Sequence, residues 1–122
     1  MKKRTNLLGP WGEQTASADL RRRGYEIVAA NYRTRFGEID LIARQGGFTV
    51  FVEVKLRASD RFAEAREFVD RRKQERLRAS ALLWLAAHPE DGGQPRFDVV
   101  EVYAPEGLET KKPVIRHLEN AF

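Results

Sequence analysis

The sequence lacks cysteine altogether and has only two histidines among its 122 residues. Without cysteine there is no disulfide framework, no thiol nucleophile and no zinc–thiolate site. His88 and His117 are far apart in the chain and far from its central segment. Histidine-based acid–base chemistry and a histidine-rich zinc site are therefore not expected. Any chemistry must come from other side chains.

Long hydrophobic runs are also missing, since no stretch approaches the ~18 apolar residues of a membrane-spanning helix. The basic start at residues 1–4 is not followed by an apolar segment of signal-peptide length. Glycine-rich phosphate-binding loops are absent, so nucleotide-cofactor chemistry has no support. We expect a cytoplasmic protein of one domain, residues 1–122, with residues 1–7 as a loose basic lead-in.

The chain does contain an excess of basic side chains. Lysine and arginine number 22 against 18 acids, which gives a net charge of +4 at pH 7, and arginine outnumbers lysine. The planar guanidinium group binds phosphate in a bidentate way, so this bias favours a polyanionic partner. The arginines expected to contact phosphate flank the central segment described next: Arg33, Arg35, Arg57 and Arg61.

Residues 37–57 (GEIDLIARQGGFTVFVEVKLR) predict a β-hairpin with Gly46-Gly47 as a two-residue turn. This turn makes Gln45 face Phe48, and the same register continues along both strands. Side chains alternate between the faces of a strand. One face is then apolar throughout, with Ile39, Leu41 and Ala43 opposite Val54, Val52 and Val50.

The other face brings two carboxylates and an ammonium group together. Asp40 lies opposite Glu53 with Cβ atoms roughly 4.5–5.5 Å apart, and Lys55 follows on the same face. Like charges so placed repel each other unless a cation lies between them. A site for a hard divalent cation, Mg²⁺ or Mn²⁺, is one interpretation, and a solvated ladder of ion pairs is the other. Ile42 and Phe51 on this face indicate that it is partly covered, which favours the cation site.

A helical pattern begins at about Leu8 and ends at Gly24. Glu13 shares the inward stripe of this helix with Leu20, an unusual place for an acid. Either the helix dipole favours its charge in the first turns, or Glu13 is a third carboxylate directed at the sheet.

The remaining pattern predicts a strand over Tyr25–Tyr32, a second helix from about Arg66 to His88, and strands over Arg96–Tyr103 and Pro113–Leu118. With the hairpin, the order is α-β-β-β-α-β-β. This order predicts an α/β fold with a mixed sheet flanked by helices.

Asp40 followed by Glu53-Val54-Lys55 resembles the D…(D/E)-x-K core of the PD-(D/E)XK nuclease superfamily, which has the restriction-endonuclease-like fold. More closely, GEIDLIA followed by FVEVKLR resembles the YraN family of small bacterial proteins, which is similar to archaeal Holliday-junction resolvases. The resemblance extends from Gly9 to about Val102.

The resemblance implies a metal-dependent DNA endonuclease that is selective for branched or single-stranded structures. Asp40, Glu53 and the Val54 carbonyl are expected to hold Mg²⁺ or Mn²⁺. Glu13 is expected to add an outer ligand or to position a water. Lys55 is expected to orient or deprotonate the attacking water, or to neutralise charge on the phosphate.

Three further residues are expected at the border of this site: Glu38, Lys73 and Gln74. The resemblance places Lys73 and Gln74 there because a polar residue on the helix after the E-x-K strand often borders the superfamily's site. An ordinary surface position is the alternative for both.

A non-catalytic module on the same fold, which binds DNA or docks onto a DNA-processing protein, is the competing interpretation. A structural protein with a surface ion-pair ladder is a third. The joint presence of Asp40, Glu53 and Lys55 favours the enzyme, because loss of any one of them would remove the metal chemistry. A homodimer is compatible with each interpretation.

Overall fold

The strongly apolar strands of this chain need cover on both faces, and two helices provide it. The computed structural model describes residues 2–58 and 69–122, except for the side chains of residues 2–7 and 91. The elements in chain order are α1 (Lys2–Arg22), β1 (Glu26–Thr34), β2 (Gly37–Gln45), β3 (Phe48–Arg57), α2 (Arg71–Ala87), β4 (Gln94–Tyr103) and β5 (Val114–Leu118). The predicted order α-β-β-β-α-β-β is confirmed.

The five strands form one sheet in the order in which they occur in the chain. Strands β3 and β4 are parallel, as the α2 crossover between them requires, and the other neighbouring pairs are antiparallel. The sheet is therefore mixed, as predicted. Helix α1 covers one face and α2 covers the other.

Each helix packs on its own hydrophobic cluster. The cluster on the α1 face consists of small, branched and tyrosine side chains: Ala16, Leu20, Tyr25, Leu41, Ala43, Val50, Val52, Val100 and Val102. The cluster on the α2 face includes two large aromatic side chains, those of Phe51 and Trp84. Its members are Ile39, Ile42, Phe51, Val69, Leu77, Ala81, Trp84 and Val99. Burial on both faces explains why β3 and β4 carry apolar side chains on each face.

The predicted hairpin register is confirmed from Leu41–Val52 to Gln45–Phe48. Only the first turn glycine, Gly46, has a positive φ, at 59°, as a type II′ turn requires.

The prediction that Ile39 shares the face of Leu41 is wrong, because Ile39 packs on the α2 face. The pairs between β1 and β2 skip Asn31 and Asp40, and Asn31 has a φ of 52°. The left-handed backbone of Asn31 interrupts the alternation of side chains at this point without a register shift, and the shift in this ladder lies between Ile27 and Ala29.

The predicted helix starts also need correction. Helix α1 begins at Lys2, so residues 2–7 belong to the helix and are not a loose lead-in, and Pro10 lies inside the helix. Helix α2 begins at Arg71, where Asp70 is the N-cap and accepts a hydrogen bond from the backbone N–H of Lys73. The predicted start near Arg66 falls outside the described residues. Neither described helix is long and apolar enough to cross a bilayer.

The close packing of α1 on β3 depends on Gly12. A Cβ atom added at Gly12 would lie 2.9 Å from Cγ and Cδ2 of Leu56, whereas one added at Gly9 would meet nothing within 4 Å. We predict that Gly12→Ala lowers the free energy of unfolding by roughly 1–3 kcal/mol, because it overpacks the interface. The matched change Gly9→Ala should raise it by up to about 1 kcal/mol, because alanine has the higher helix propensity.

Urea unfolding of the two variants beside the unchanged protein tests this prediction. If Gly12→Ala proves as stable as Gly9→Ala, the helix does not pack tightly at Leu56.

Candidate active site

Asp40 lies at the point where β2 stops pairing with β3. The last ladder pair is Leu41–Val52. Beyond it, Oδ2 of Asp40 accepts a hydrogen bond of 2.8 Å from the backbone N–H of Val54. The N–H and C=O of one strand residue face the same neighbouring strand, so the Val54 carbonyl is also directed at this opening. A carboxylate and a main-chain carbonyl therefore meet between the two strands.

Glu53 is buried on the α2 face of β3, with its side chain only 6% exposed. Its Oε2 lies 3.2 Å from Nζ of Lys55 and also contacts Nζ of Lys73, which reaches it from the first turn of α2. A buried carboxylate is costly unless it is paired and hydrogen-bonded. The two lysines supply that pairing.

These groups adjoin a cavity of about 450 Å³ between the β1–β2 hairpin and the first turns of α2. Asp40, Glu53 and Lys73 line it together with residues of the hairpin and the helix: Phe36, Gly37, Glu38, Asp70, Arg72, Arg76 and Leu77.

The ionisation of these groups is strongly perturbed. Burial, and then repulsion by Glu53, raises the pKa of Asp40 to about 8, although the hydrogen bond from Val54 opposes the rise. Burial lowers the pKa of Lys55, and its contact with Lys73 lowers it further. Burial alone would lower the pKa of Lys73, but its hydrogen bonds to Glu53 and Lys55 and the charges of Glu53 and Asp40 together outweigh burial and raise it. Perturbed groups that converge on one cavity are typical of functional sites.

Glu13 lies close to Asp40 but is held by a different partner. Its Oε1 accepts a hydrogen bond of 2.8 Å from Nδ2 of Asn31, and its side chain lines a second cavity between α1 and β1. Its charge still contributes to the raised pKa of Asp40. Within the described ranges, no three or more Asp, Glu, His or Cys side chains are grouped so that they could hold a metal ion.

The residues predicted at the border have different positions. Glu38 lines the cavity and accepts a hydrogen bond of 3.0 Å from Nε of Arg33. Lys73 is more central than predicted, because it contacts Glu53 directly. Gln74 donates to the carbonyl of Val69 at 2.9 Å and thus holds the start of α2, outside the cavity lining.

The arginines predicted to bind phosphate are spread around this end of the sheet. Arg33 is paired with Glu38, and the guanidinium group of Arg35 lies 4.9 Å from the centre of the Phe36 ring. Arg57 ends β3. Arg61 lies outside the described residues.

Six residues of the cavity lining are not among the site residues predicted from the sequence: Phe36, Gly37, Asp70, Arg72, Arg76 and Leu77. A signal for the two arginines was present, because they are spaced at i and i+4 on the helix that carries Lys73, which places them on one face. No periodic signal marks Phe36, which lies in a two-residue turn.

Two more acids of β4 are fully buried, and neither lines the cavity. Asp98 accepts hydrogen bonds from Nε and Nη2 of Arg96 and from the backbone N–H of Asn120, and it lies 2.6 Å from Nε2 of His117. Burial would raise the pKa of Asp98, but these hydrogen bonds outweigh burial and lower it. Glu101 is the cross-strand neighbour of Lys55.

Comparison with known proteins finds relatives over nearly the whole chain. Residues 12–102 match the model of a family described as "Uncharacterised protein family UPF0102". A UPF0102 protein of Nocardia farcinica is 48% identical over 115 residues, which cover 94% of this chain and 88% of the relative. A UPF0102 protein of Syntrophomonas wolfei is 42% identical over 115 residues, which cover 94% of this chain and 96% of the relative.

The raised pKa of Asp40 predicts a pH-dependent stability in EDTA. The folded protein keeps a proton on Asp40 that the unfolded chain, with a pKa near 3.8, has already lost. The free energy of unfolding should therefore fall as the pH rises from about 4 to about 8. Asp40→Asn keeps an oxygen that can accept the hydrogen bond from Val54, so this variant should lose that part of the pH dependence. At pH values between 5 and 8 its free energy of unfolding should exceed that of the unchanged protein by at least about 1 kcal/mol, since one pKa unit corresponds to about 1.4 kcal/mol.

Urea midpoints across this range measure the effect. Glu38→Gln is the matched control, because Glu38 lines the same cavity but is paired with Arg33. Parallel pH profiles for Asp40→Asn and the unchanged protein would show that Asp40 does not hold a proton.

Proposed function

The chain belongs to the UPF0102 family, and we propose that this member is a metal-dependent DNA nuclease that hydrolyses phosphodiester bonds. Asp40, Glu53 and Lys55 are its catalytic residues. The observation that carries the proposal is that Asp40 and Glu53 line one cavity while Lys55, whose pKa is lowered, contacts Glu53 and the backbone of Val54 bonds to Asp40.

The donor set fits Mg²⁺ or Mn²⁺. The carboxylates of Asp40 and Glu53 and the carbonyl of Val54 are hard oxygen ligands. Two carboxylates are sufficient, because Mg²⁺ usually keeps several waters and binds phosphate oxygens of the substrate. Glu13 is held by Asn31 and suits an outer position. When bound, such a cation stabilises negative charge on the scissile phosphate and lowers the pKa of a bound water.

The chain's own residues have distinct tasks in this mechanism. Asp40 must give up its proton to act as a ligand. Lys73 holds the carboxylate of Glu53 in place through their direct contact. Lys55 accepts a proton from the attacking water or donates a hydrogen bond to the phosphate as charge develops there. Basic side chains around the cavity attract the polyanionic substrate without regard to base sequence.

One contact favours a second candidate function, a DNA-binding module that does not cut. Both Lys55 and Lys73 lie at the same oxygen of Glu53. Because the protein's own cations already pair with this carboxylate, a site that holds no metal and performs no catalysis would contain the same contact. Metal binding and cleavage are therefore tested separately.

We predict that the protein binds Mn²⁺ and releases about one proton as Asp40 ionises. Isothermal titration calorimetry at pH 7, repeated in buffers of different ionisation enthalpy, measures both the affinity and the proton release. Glu53→Gln should weaken binding roughly tenfold or more, given that even outer-shell changes cost 10–100-fold. Asp40→Asn should abolish the proton release.

Glu38→Gln serves as the control for general charge loss at the cavity and should bind as tightly as the unchanged protein. Equal Mn²⁺ affinity in Glu53→Gln and the unchanged protein would refute the metal site.

We also predict metal-dependent cleavage of branched or single-stranded DNA. Lys55→Ala should reduce the cleavage rate by roughly 10²–10³-fold or more, the loss typical when a group that stabilises the transition state is removed. DNA binding should persist and stay salt-sensitive, because it depends on the number of phosphates neutralised. A nuclease assay with Mg²⁺ and Mn²⁺ on branched, single-stranded and duplex DNA, beside a binding assay, separates the two effects.

Lys111→Ala removes an equal charge from the exposed segment before β5 and should cut normally. If the unchanged protein binds DNA but cuts none of these substrates, the DNA-binding module is the correct function.

A further inference from the structure

The cavity beside the carboxylates also contains an aromatic ring and two arginines that the hydrolytic chemistry does not use. Phe36 is 37% exposed, and Arg72 and Arg76 are exposed on the first turns of α2. We propose that this cavity binds an unpaired nucleotide whose base stacks on Phe36 while Arg72 and Arg76 hold the adjoining phosphates. The substrate class would then be a single-stranded nucleic-acid segment. Cleavage of that strand rests on the proposed function, whereas binding of the strand does not.

The position of Phe36 is fixed by hydrogen bonds. Thr34 pairs with Gly37, so Arg35 and Phe36 form the two-residue turn of the β1–β2 hairpin. Oγ1 of Thr34 accepts a hydrogen bond of 3.0 Å from the backbone N–H of Phe36 and lies 2.7 Å from Oγ of the buried Ser80 on α2. These bonds tie the turn to the helix, so the ring is held at the cavity.

The ring is also paired with a guanidinium group. Arg35 lies over Phe36 at 4.9 Å from the ring centre, and a substantial part of the ring remains exposed. Aromatic rings and guanidinium planes are the surfaces on which proteins stack unpaired bases.

The two arginines carry positive charge that is not neutralised by an ion pair within the described part of the chain. Arg72 and Arg76 are spaced at i and i+4, where like charges destabilise a helix by a few tenths of a kcal/mol. Neither forms an ion pair with any residue in the ranges 2–58 and 69–122, and Lys73 between them is committed to Glu53. Two guanidinium groups at one opening suit neighbouring phosphates.

The geometry favours an unpaired strand over a duplex. Inside a duplex both faces of each base are covered by the stack, so a side chain can stack only on a base that is unpaired or extruded. A cavity of about 450 Å³ is within the range of small-molecule sites. Phe36 lines this cavity from the β1–β2 turn, Arg72 and Arg76 line it from α2, and Asp40 and Glu53 belong to the same lining.

The test is a set of binding titrations by fluorescence anisotropy in EDTA, where no strand is cut. The unchanged protein should prefer a single-stranded oligonucleotide to a blunt duplex of the same sequence. Phe36→Ala should weaken single-strand binding roughly 5- to 150-fold, the range for losing one stacked base, and Phe36→Trp should retain it. DNA and RNA strands should show the same loss, because stacking uses the base rather than the sugar.

Phe48→Ala is the matched control. Phe48 is 38% exposed and has the guanidinium group of Arg96 over its ring at 4.9 Å, but it is the first residue of β3, next to the turn at the other end of β2. This variant should bind as tightly as the unchanged protein. Equal losses in Phe36→Ala and Phe48→Ala would overturn the proposal, and so would equal affinity of the unchanged protein for duplex and single strand.

An oligonucleotide with abasic positions isolates the base from the phosphates. The unchanged protein should bind it more weakly than the intact strand, whereas Phe36→Ala should bind both alike. Arg72→Ala and Arg76→Ala should each reduce the slope of log K against log salt by about 0.7, and Arg71→Ala, which alters an exposed arginine outside the cavity, should not. Unchanged salt slopes in both cavity variants would overturn the assignment of the phosphate contacts.

The binding titrations and the nuclease assay together separate the two proposals. Binding of single strands that depends on Phe36, without any cleavage in Mn²⁺, would refute the hydrolase and support the binding site. A protein that cuts while Phe36→Ala binds normally supports the hydrolase and refutes the stacking site.

Discussion

The hydrogen bond from the Val54 N–H to Asp40 is the contact on which the arrangement of the candidate site depends. It lies where β2 and β3 stop pairing, so a carboxylate takes the place of a backbone acceptor. A buried N–H without an acceptor would be costly, and Asp40 removes that cost while opening the sheet. The Asp40 carboxylate and the Val54 carbonyl both face this opening, next to Glu53.

Without a bound cation, the carboxylates of the site are neutralised by the protein itself. Glu53 is neutralised by two lysines, and Asp40 avoids a second negative charge because burial and Glu53 raise its pKa to about 8. A divalent cation would reverse this state, since it requires both carboxylates ionised. Pairing with two lysines offsets the burial of Glu53, whereas burial of Asp40 costs stability at neutral pH, which is the compromise expected where function competes with stability.

Much of the fold and the centre of the site could be predicted from local patterns. The two-residue turn and the alternation of apolar side chains were enough to place Leu41 opposite Val52. Asp40 and Glu53 are not a ladder pair, but they are close enough for the charge of Glu53 to raise the pKa of Asp40. The local patterns failed at Ile39, because the left-handed backbone of Asn31 interrupts the ladder at Asp40. A periodic pattern of apolar residues does not indicate where a single left-handed residue occurs in a strand.

Local sequence patterns are sufficient for the order of elements, the hairpin register from Leu41 to Gln45 and the small set of charged residues inside an apolar setting, because each depends on neighbours a few positions apart. The partners that these residues contact depend on the packing of distant elements. The contact of Lys73 with Glu53, the bond of Asn31 to Glu13, and the shared cavity of Phe36 and Arg76 all join different elements. Periodicity indicates which face of an element a side chain occupies, but the docking of whole helices on the sheet determines what lies across from it.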